Sequence, residues 1–330
     1  MNYRFRALLR LKSVVAVASI SVCAWGSAQA ADWPSGPVTL VVPFSAGGTT
    51  DVVGRLMAQK LGELWGTSVV VDNRPGASGN IGASLVARAT PDGQTILMAS
   101  GSNLTVNPHL YKALPYNVDK DFTLVTNVAA GPMVVVTSTA VPAKNLQELI
   151  DYARQNPGKL NMGSAGIGSQ VHMAGENFAD AAKIKVTHVP YKGEAAAYTD
   201  LMAGQIDMVV GNIGAVSTLV SSGKIRALGV TSKERAQMLS DIPTVDEAGV
   251  AGFENKGWFA FVVPKKTPQA VVDKLYADTR KVLDMPDVQQ KLASLGMQAV
   301  GNSSDELQQE VRSESELWER IIKQQGITLQ

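Results

Sequence analysis

Two glycine-rich stretches hold the residues best suited to binding chemistry. One is Phe44-Ser45-Ala46-Gly47-Gly48-Thr49-Thr50-Asp51, and the other is Ser164-Ala165-Gly166-Ile167-Gly168-Ser169-Gln170. Each follows a short apolar run and precedes a segment with apolar residues at helical spacing. Each is therefore expected at the carboxyl end of a strand, opening a helix. A helix start has unpaired N–H groups and a partial positive charge. Glycine lets an anion approach that backbone closely. Such loops bind phosphate or carboxylate without a charged side chain. The same residues also serve ordinary strand-to-helix turns, where Gly and Ser are used for geometry.

Signatures of catalysis are absent. There is no G-x-S-x-G elbow and no phosphate-binding G-x-x-x-x-G-K-[ST] loop. Gly47-Gly48 followed by Gly54 does not fit the dinucleotide pattern G-x-G-x-x-G. His109, His172 and His188 are too widely spaced for a zinc motif, and His188 reads as structural at a strand end. No arginine cluster offers a bidentate clamp. Asp246-Glu247 sits in a turn-like region and reads as solvated surface. The reading assigns no catalytic residue, no metal site and no cofactor.

The loops must be positioned by alternating strands and helices. Val38 to Val42 is an apolar run stopped by Pro43 and reads as a buried strand. The helix after the first loop carries Val53, Leu56, Met57, Leu61 and Leu64 on one face. Val69–Val71 and Thr95–Met98 are strands, with a helix through Leu85 and Val86 between them. A second series has strands at Met133–Thr137, Leu160–Met162, Val186–Val189, Met208–Val210 and Ile225–Val230. Helices are expected near 146–153, 171–182, 195–202 and 215–220. Gly257–Val263 is a further strand, and two helices close the chain. The first of these starts with Thr267 as cap and Pro268 as first helical residue. The last starts with the capping box Ser303-Ser304-Asp305-Glu306 and has the stripe Leu307, Val311, Trp318, Ile322. This order predicts an α/β fold with doubly wound, mostly parallel sheets, and open sheets of this kind collect ligands at the carboxyl ends of their strands.

A chain of 330 residues suits two domains better than one, and no Pro- or Ser-rich linker divides it. With 30 Lys+Arg against 29 Asp+Glu, no basic field for nucleic acid exists. A hydrophobic share of 45% excludes a disordered chain. Arg4, Arg6, Arg10 and Lys12 precede a short apolar core, Ser13 to Trp25, and the small-residue site Ala28-Gln29-Ala30. This is a signal peptide with cleavage after Ala30. Its core is shorter than the roughly 20 residues a membrane span requires. Cleavage removes the single Cys, Cys23, so residues 31–330 need no oxidation to fold and have no thiol nucleophile. The expected destination is a bacterial periplasm.

Several segments together resemble the tripartite tricarboxylate transporter substrate-binding proteins, the Bug family of periplasmic solute receptors. They include Val41 to Asp51, Val71-Asp72-Asn73-Arg74-Pro75-Gly76-Ala77, Gly79-Asn80-Ile81-Gly82 and Asn107-Pro108-His109-Leu110-Tyr111. They also include His188-Val189-Pro190-Tyr191-Lys192-Gly193 and Ile242-Pro243-Thr244-Val245-Asp246-Glu247-Ala248-Gly249. The resemblance implies a two-lobed periplasmic binding fold of type II, a Venus flytrap. Lobe one would be residues 31–132 and 230–330, and lobe two residues 133–229. The crossings would fall near Gly131–Met133 and Ala227–Ser232. A ligand carboxylate would be held by Phe44, Ser45, Ala46, Gly47, Gly48 and Thr49 from lobe one, with Ser100 and Ser102. Lobe two would contribute Ser164, Ala165, Gly166, Gly168, Ser169, Gln170 and Asn212. Tyr191 either covers the ligand or packs at a strand end, and Asp51 is either a ligand contact or a helix-start acid.

The resemblance further implies a monomer that binds a small organic acid and hands it to a large and a small integral-membrane permease subunit. The alternative is a periplasmic sensor that presents the acid to a signalling partner. An exported enzyme is the remaining class, and no residue set supports it. The family often has an acid where this chain has Gly211. Its absence is expected to leave the cleft open to a second carboxylate, with Gly211→Asp reducing dicarboxylate affinity.

Overall fold

The computed structural model describes residues 33–328. The signal peptide and its cleavage after Ala30 lie outside the described residues.

The chain begins β1 (Val38–Val42), α1 (Thr49–Trp65), β2 (Val69–Asn73), α2 (Asn80–Ala87), β3 (Thr95–Ser100). Three short helices follow: α3 (Gly101–Thr105), α4 (Asn107–Leu110) and α5 (Val118–Asp121). Then come β4 (Phe122–Ser138), α6 (Leu146–Gln155), β5 (Asn161–Ser164), α7 (Gln170–Ala181), β6 (Thr187–Pro190) and α8 (Glu194–Met202). The remainder is β7 (Met208–Asn212), α9 (Ile213–Ser221), β8 (Ile225–Val230), β9 (Lys256–Pro264), α10 (Gln269–Leu283), α11 (Pro286–Ala293), β10 (Gln298–Ala299) and α12 (Ser304–Gln325). Three helices, not two, close the chain. Pro268 is the N-cap of α10 and not its first residue, because the Thr267 hydroxyl donates backward to Pro264 O at 2.8 Å. The capping box at Ser303 forms as read.

One sheet path, β2-β1-β3-β9-β4-β7-β5-β6, runs through both lobes. β1 pairs in parallel with β2 and β3, and β5 with β6 and β7. The strands that join the lobes pair antiparallel: β4 with β7, β8 and β9. Burial on both faces explains why β1 is a continuous apolar run. Val53, Met57 and Leu61 of α1 are fully buried against it, and each such side chain stabilises by about 1.5–3 kcal/mol. In lobe two, Leu146, Leu149, Phe178 and Val210 form one core, while Val136, Ala197, Leu201 and Val209 form another.

β4 is the shared strand. Its first part, Phe122 to Pro132, pairs with β9 in lobe one, and its second part, Met133 onward, pairs with β7 and β8 in lobe two. The strand changes partners between Pro132 and Met133, beside Gly131. A Cβ there would meet Gly296 O at 2.5 Å, so only glycine fits this close approach. The second crossing differs from expectation. Residues 231–254 stay with lobe two, since Val245, Val250 and Phe253 complete its core. The chain returns at Asn255–Gly257, where Lys256 pairs with Pro132. The boundary expected at 230 is thus about two dozen residues early.

Thr231 ties the two crossings together. Its hydroxyl accepts from Met133 N at 2.7 Å and donates to Asn255 O at 2.7 Å, in full burial. Thr231→Val keeps the shape and removes both bonds, leaving buried backbone groups unpaired. Stability in urea melts is expected to fall by about 1–3 kcal/mol, and an unchanged midpoint would contradict this role.

Candidate functional site

The first loop leaves β1 at Pro43 and enters α1 through Gly48, an N-cap with no side-chain cap bond. Asp51 organises it. Its Oδ2 accepts from Gly47 N at 3.0 Å and Arg55 Nε at 2.9 Å, and its Oδ1 accepts from Asn73 Nδ2 at 2.9 Å. Burial raises the Asp51 pKa, but these hydrogen bonds outweigh it and hold the carboxyl below its ordinary value. Asp51 is therefore an internal brace. Ala46 and Gly47 are exposed and line neither of the cavities described below.

The second loop leaves β5 at Ser164. Ser164 is fully buried; its Oγ lies 2.6 Å from His188 Nε2 and accepts from Gly166 N at 3.1 Å. His188 stacks on His172, ring centroids 3.8 Å apart. His172 Nδ1 accepts from Gly168 N at 3.1 Å, which fixes that nitrogen as unprotonated. Ser169 caps α7 by accepting from His172 N at 3.2 Å. Ser164 and Gly168 thus shape the loop. On lobe one, Ser102 pairs with Ser100, Oγ to Oγ at 2.8 Å, so that Ser100 faces the cleft and Ser102 supports it.

The loops meet between the lobes. Phe44, Ser45, Gly48, Ser100, Ala165, Ser169, Gln170 and Asn212 line a narrow inner cavity of about 20 Å³, enough for the centre of one ordered water. Ala165, Gly166 and Tyr191 also line an outer cavity of about 560 Å³. Tyr191 lines this outer space and donates its hydroxyl to Asp200 at 2.6 Å. Gln170 clamps the lobes, with Nε2 donating to Trp258 O at 3.1 Å and Oε1 accepting from Trp258 N at 2.8 Å. Tyr111 donates to Ile167 O at 3.0 Å, and Ser78 donates to the same carbonyl.

The sequence reading missed the loop Gly76–Gly79, Lys192 and Phe259, all of which line one cavity or the other. Above all it missed Glu194. This side chain, only 5% exposed, accepts from Thr49 N at 2.6 Å across the cleft. Its other oxygen accepts from Asn212 Nδ2 at 2.9 Å and Tyr198 OH at 3.2 Å. Burial and then the Glu194 charge push the Tyr198 pKa well up, so the phenol stays a donor. A Cβ at Gly211 would lie 1.9 Å from the Tyr198 hydroxyl, so an Asp there would have to displace Tyr198, and the acid beside this position is Glu194.

A family model described as the tripartite tricarboxylate transporter family receptor matches residues 53–327. The chain belongs to this family. Among solved structures it is similar to R. palustris Rpa4515 with adipate, at 38% identity and a TM-score of 0.87, covering 90% of this chain and 99% of that one. It is similar to the periplasmic binding protein BugD, at 36% identity and a TM-score of 0.85, covering 90% and 100%. It is also similar to MatC from Rhodopseudomonas palustris with bound malate, at 32% identity and a TM-score of 0.84, covering 88% and 100%. The two-lobed periplasmic binding fold read from the sequence is the fold of these neighbours.

Family members are solute-binding receptors, and the serine–histidine pair of the second loop is consistent with that. Burial and then the neighbouring His172 push the His188 pKa down to about 3, which makes it a poor base for activating Ser164. A His held neutral in the fold but free to protonate when unfolded stabilises fully above about pH 6.5. That contribution is lost as pH falls toward 3. The stability difference between wild type and His188→Gln in urea melts is therefore expected to shrink between pH 7.5 and 4.5. A constant difference would contradict the neutral assignment.

Proposed function

We propose that this protein is an extracytoplasmic receptor that captures a small carboxylate between its lobes and delivers it to a tripartite tricarboxylate-type membrane transporter. One observation carries the reading. Two helix N-termini, α1 from lobe one and α7 from lobe two, border the same inner cavity. A carboxylate in that space meets unpaired helix-start amides and lies near the positive ends of both helix dipoles. The adipate of Rpa4515 and the malate of MatC support the ligand class.

The mechanism follows from the connections. β4 and the Asn255–Gly257 crossing join the lobes, which also meet through hydrogen bonds such as Gln170 to Trp258 and through the packing of Met173 against Val106, Leu110, Trp318 and Ile322. An acid that contacts both loops favours the closed state by its differential affinity for it. The closed form is then what a permease pair recognises. Lys192, at the outer cavity, draws an anion toward the cleft. The periplasmic location rests on the N-terminal signal pattern and on family membership. No helix among the described residues is long and apolar enough to cross a membrane.

The test is thermal unfolding of the exported protein, refolded to remove any trapped ligand, against a panel of short organic acids. Acid at about 100 times its dissociation constant is expected to add roughly 2.7 kcal/mol of stability. No shift with any acid would contradict the reading.

A further inference from the structure

We infer that Glu194 permanently occupies one of two carboxylate positions in the inner cavity, so that the receptor takes acids with a single carboxylate and a neutral or cationic far end. This rests on the receptor reading above and specifies its ligand class.

The donors can be counted. At the α1 side, Thr49 N donates to Glu194 Oε1 at 2.6 Å. Glu194 Oε2 takes Asn212 Nδ2 at 2.9 Å and Tyr198 OH at 3.2 Å. Three of about four acceptor sites of the carboxylate are filled, by groups from both lobes. The chain has placed its own carboxylate where a ligand anion would otherwise meet α1. The fit is tight, since a Cβ on Gly48 would lie 3.3 Å from Glu194 Cγ.

At the α7 side the position is open. The cap Ser169 is engaged by His172 N. The amides of Gln170 and Val171 make no hydrogen bond among the described residues, and both residues line the inner cavity. When the lobes part to admit it, one ligand carboxylate can accept from both amides. A second would be driven toward Glu194, where like charges repel in a poorly solvated space. An ammonium or amide N–H, by contrast, can use the remaining acceptor site on Oε1.

The test uses the exported protein, refolded ligand-free, with calorimetric titration of length-matched trios: an alkanoate, its ω-amino acid and its α,ω-diacid, from three to six carbons. Wild type is expected to bind a monoacid or amino acid at least tenfold more tightly than the matching diacid. Glu194→Ala, which vacates the α1 position, is expected to improve diacid binding at least tenfold. Glu194→Gln, which keeps the shape and removes the charge, should move the ratio the same way. Equal affinity of wild type for diacid and monoacid would overturn the inference and leave the receptor reading standing. So would an unmoved ratio in both variants. Binding of no acid by any of the three proteins would overturn both.

Discussion

A helix that starts in a cleft presents amides that nothing within the helix can satisfy, and the site depends on that constraint. α1 and α7 start at the carboxyl ends of β1 and β5, one in each lobe, and β4 and β9 bring those lobes together. Water, a ligand or a side chain must complete each start. At α1 the chain completes it with Glu194 from the opposite lobe. That bond links the lobes and places a carboxylate at the α1 start.

The surrounding polar groups keep this arrangement in place. Asp51 spans Gly47, Arg55 and Asn73, so the first loop is held from behind. The stacked His172 and His188 do the same for the second loop through Gly168 and Ser164. Trp258 connects the cleft to the outer helix. Its backbone meets Gln170, and its indole N–H donates to Glu314 at 2.6 Å. Glu314 also accepts from Trp318 at 2.9 Å, and burial pushes its pKa up to about 7. α12 is thereby fastened to the strand that α7 grips through Gln170.

The loops were legible in the sequence because their signals are local. An apolar run, a proline stop, glycines and a following 3.6 period place β1 and α1, or β5 and α7, without knowledge of the rest. The first part of β4 was not legible, because Thr123, Thr126, Asn127, Gly131 and Pro132 interrupt the apolar pattern and only pairing with β9 makes a strand of them. The second crossing was misplaced for a similar reason. Val245, Val250 and Phe253 choose their lobe by contacts with residues some hundred positions earlier. Glu194 was hidden by its ordinariness: an acid in the first turn of a helix needs no explanation, and only the fold shows that it also completes a different helix.

The central claim is that one acid lies between the lobes, its carboxylate at the α7 start and its far end beside Glu194 at the α1 start. Backbone-amide NMR during titration with the acid that stabilises the protein most tests it directly. The account predicts that Gln170 and Val171 in lobe two and Gly48 and Thr50 in lobe one shift together and saturate at a single dissociation constant. Shifts confined to one lobe, or centred away from these amides, would contradict it.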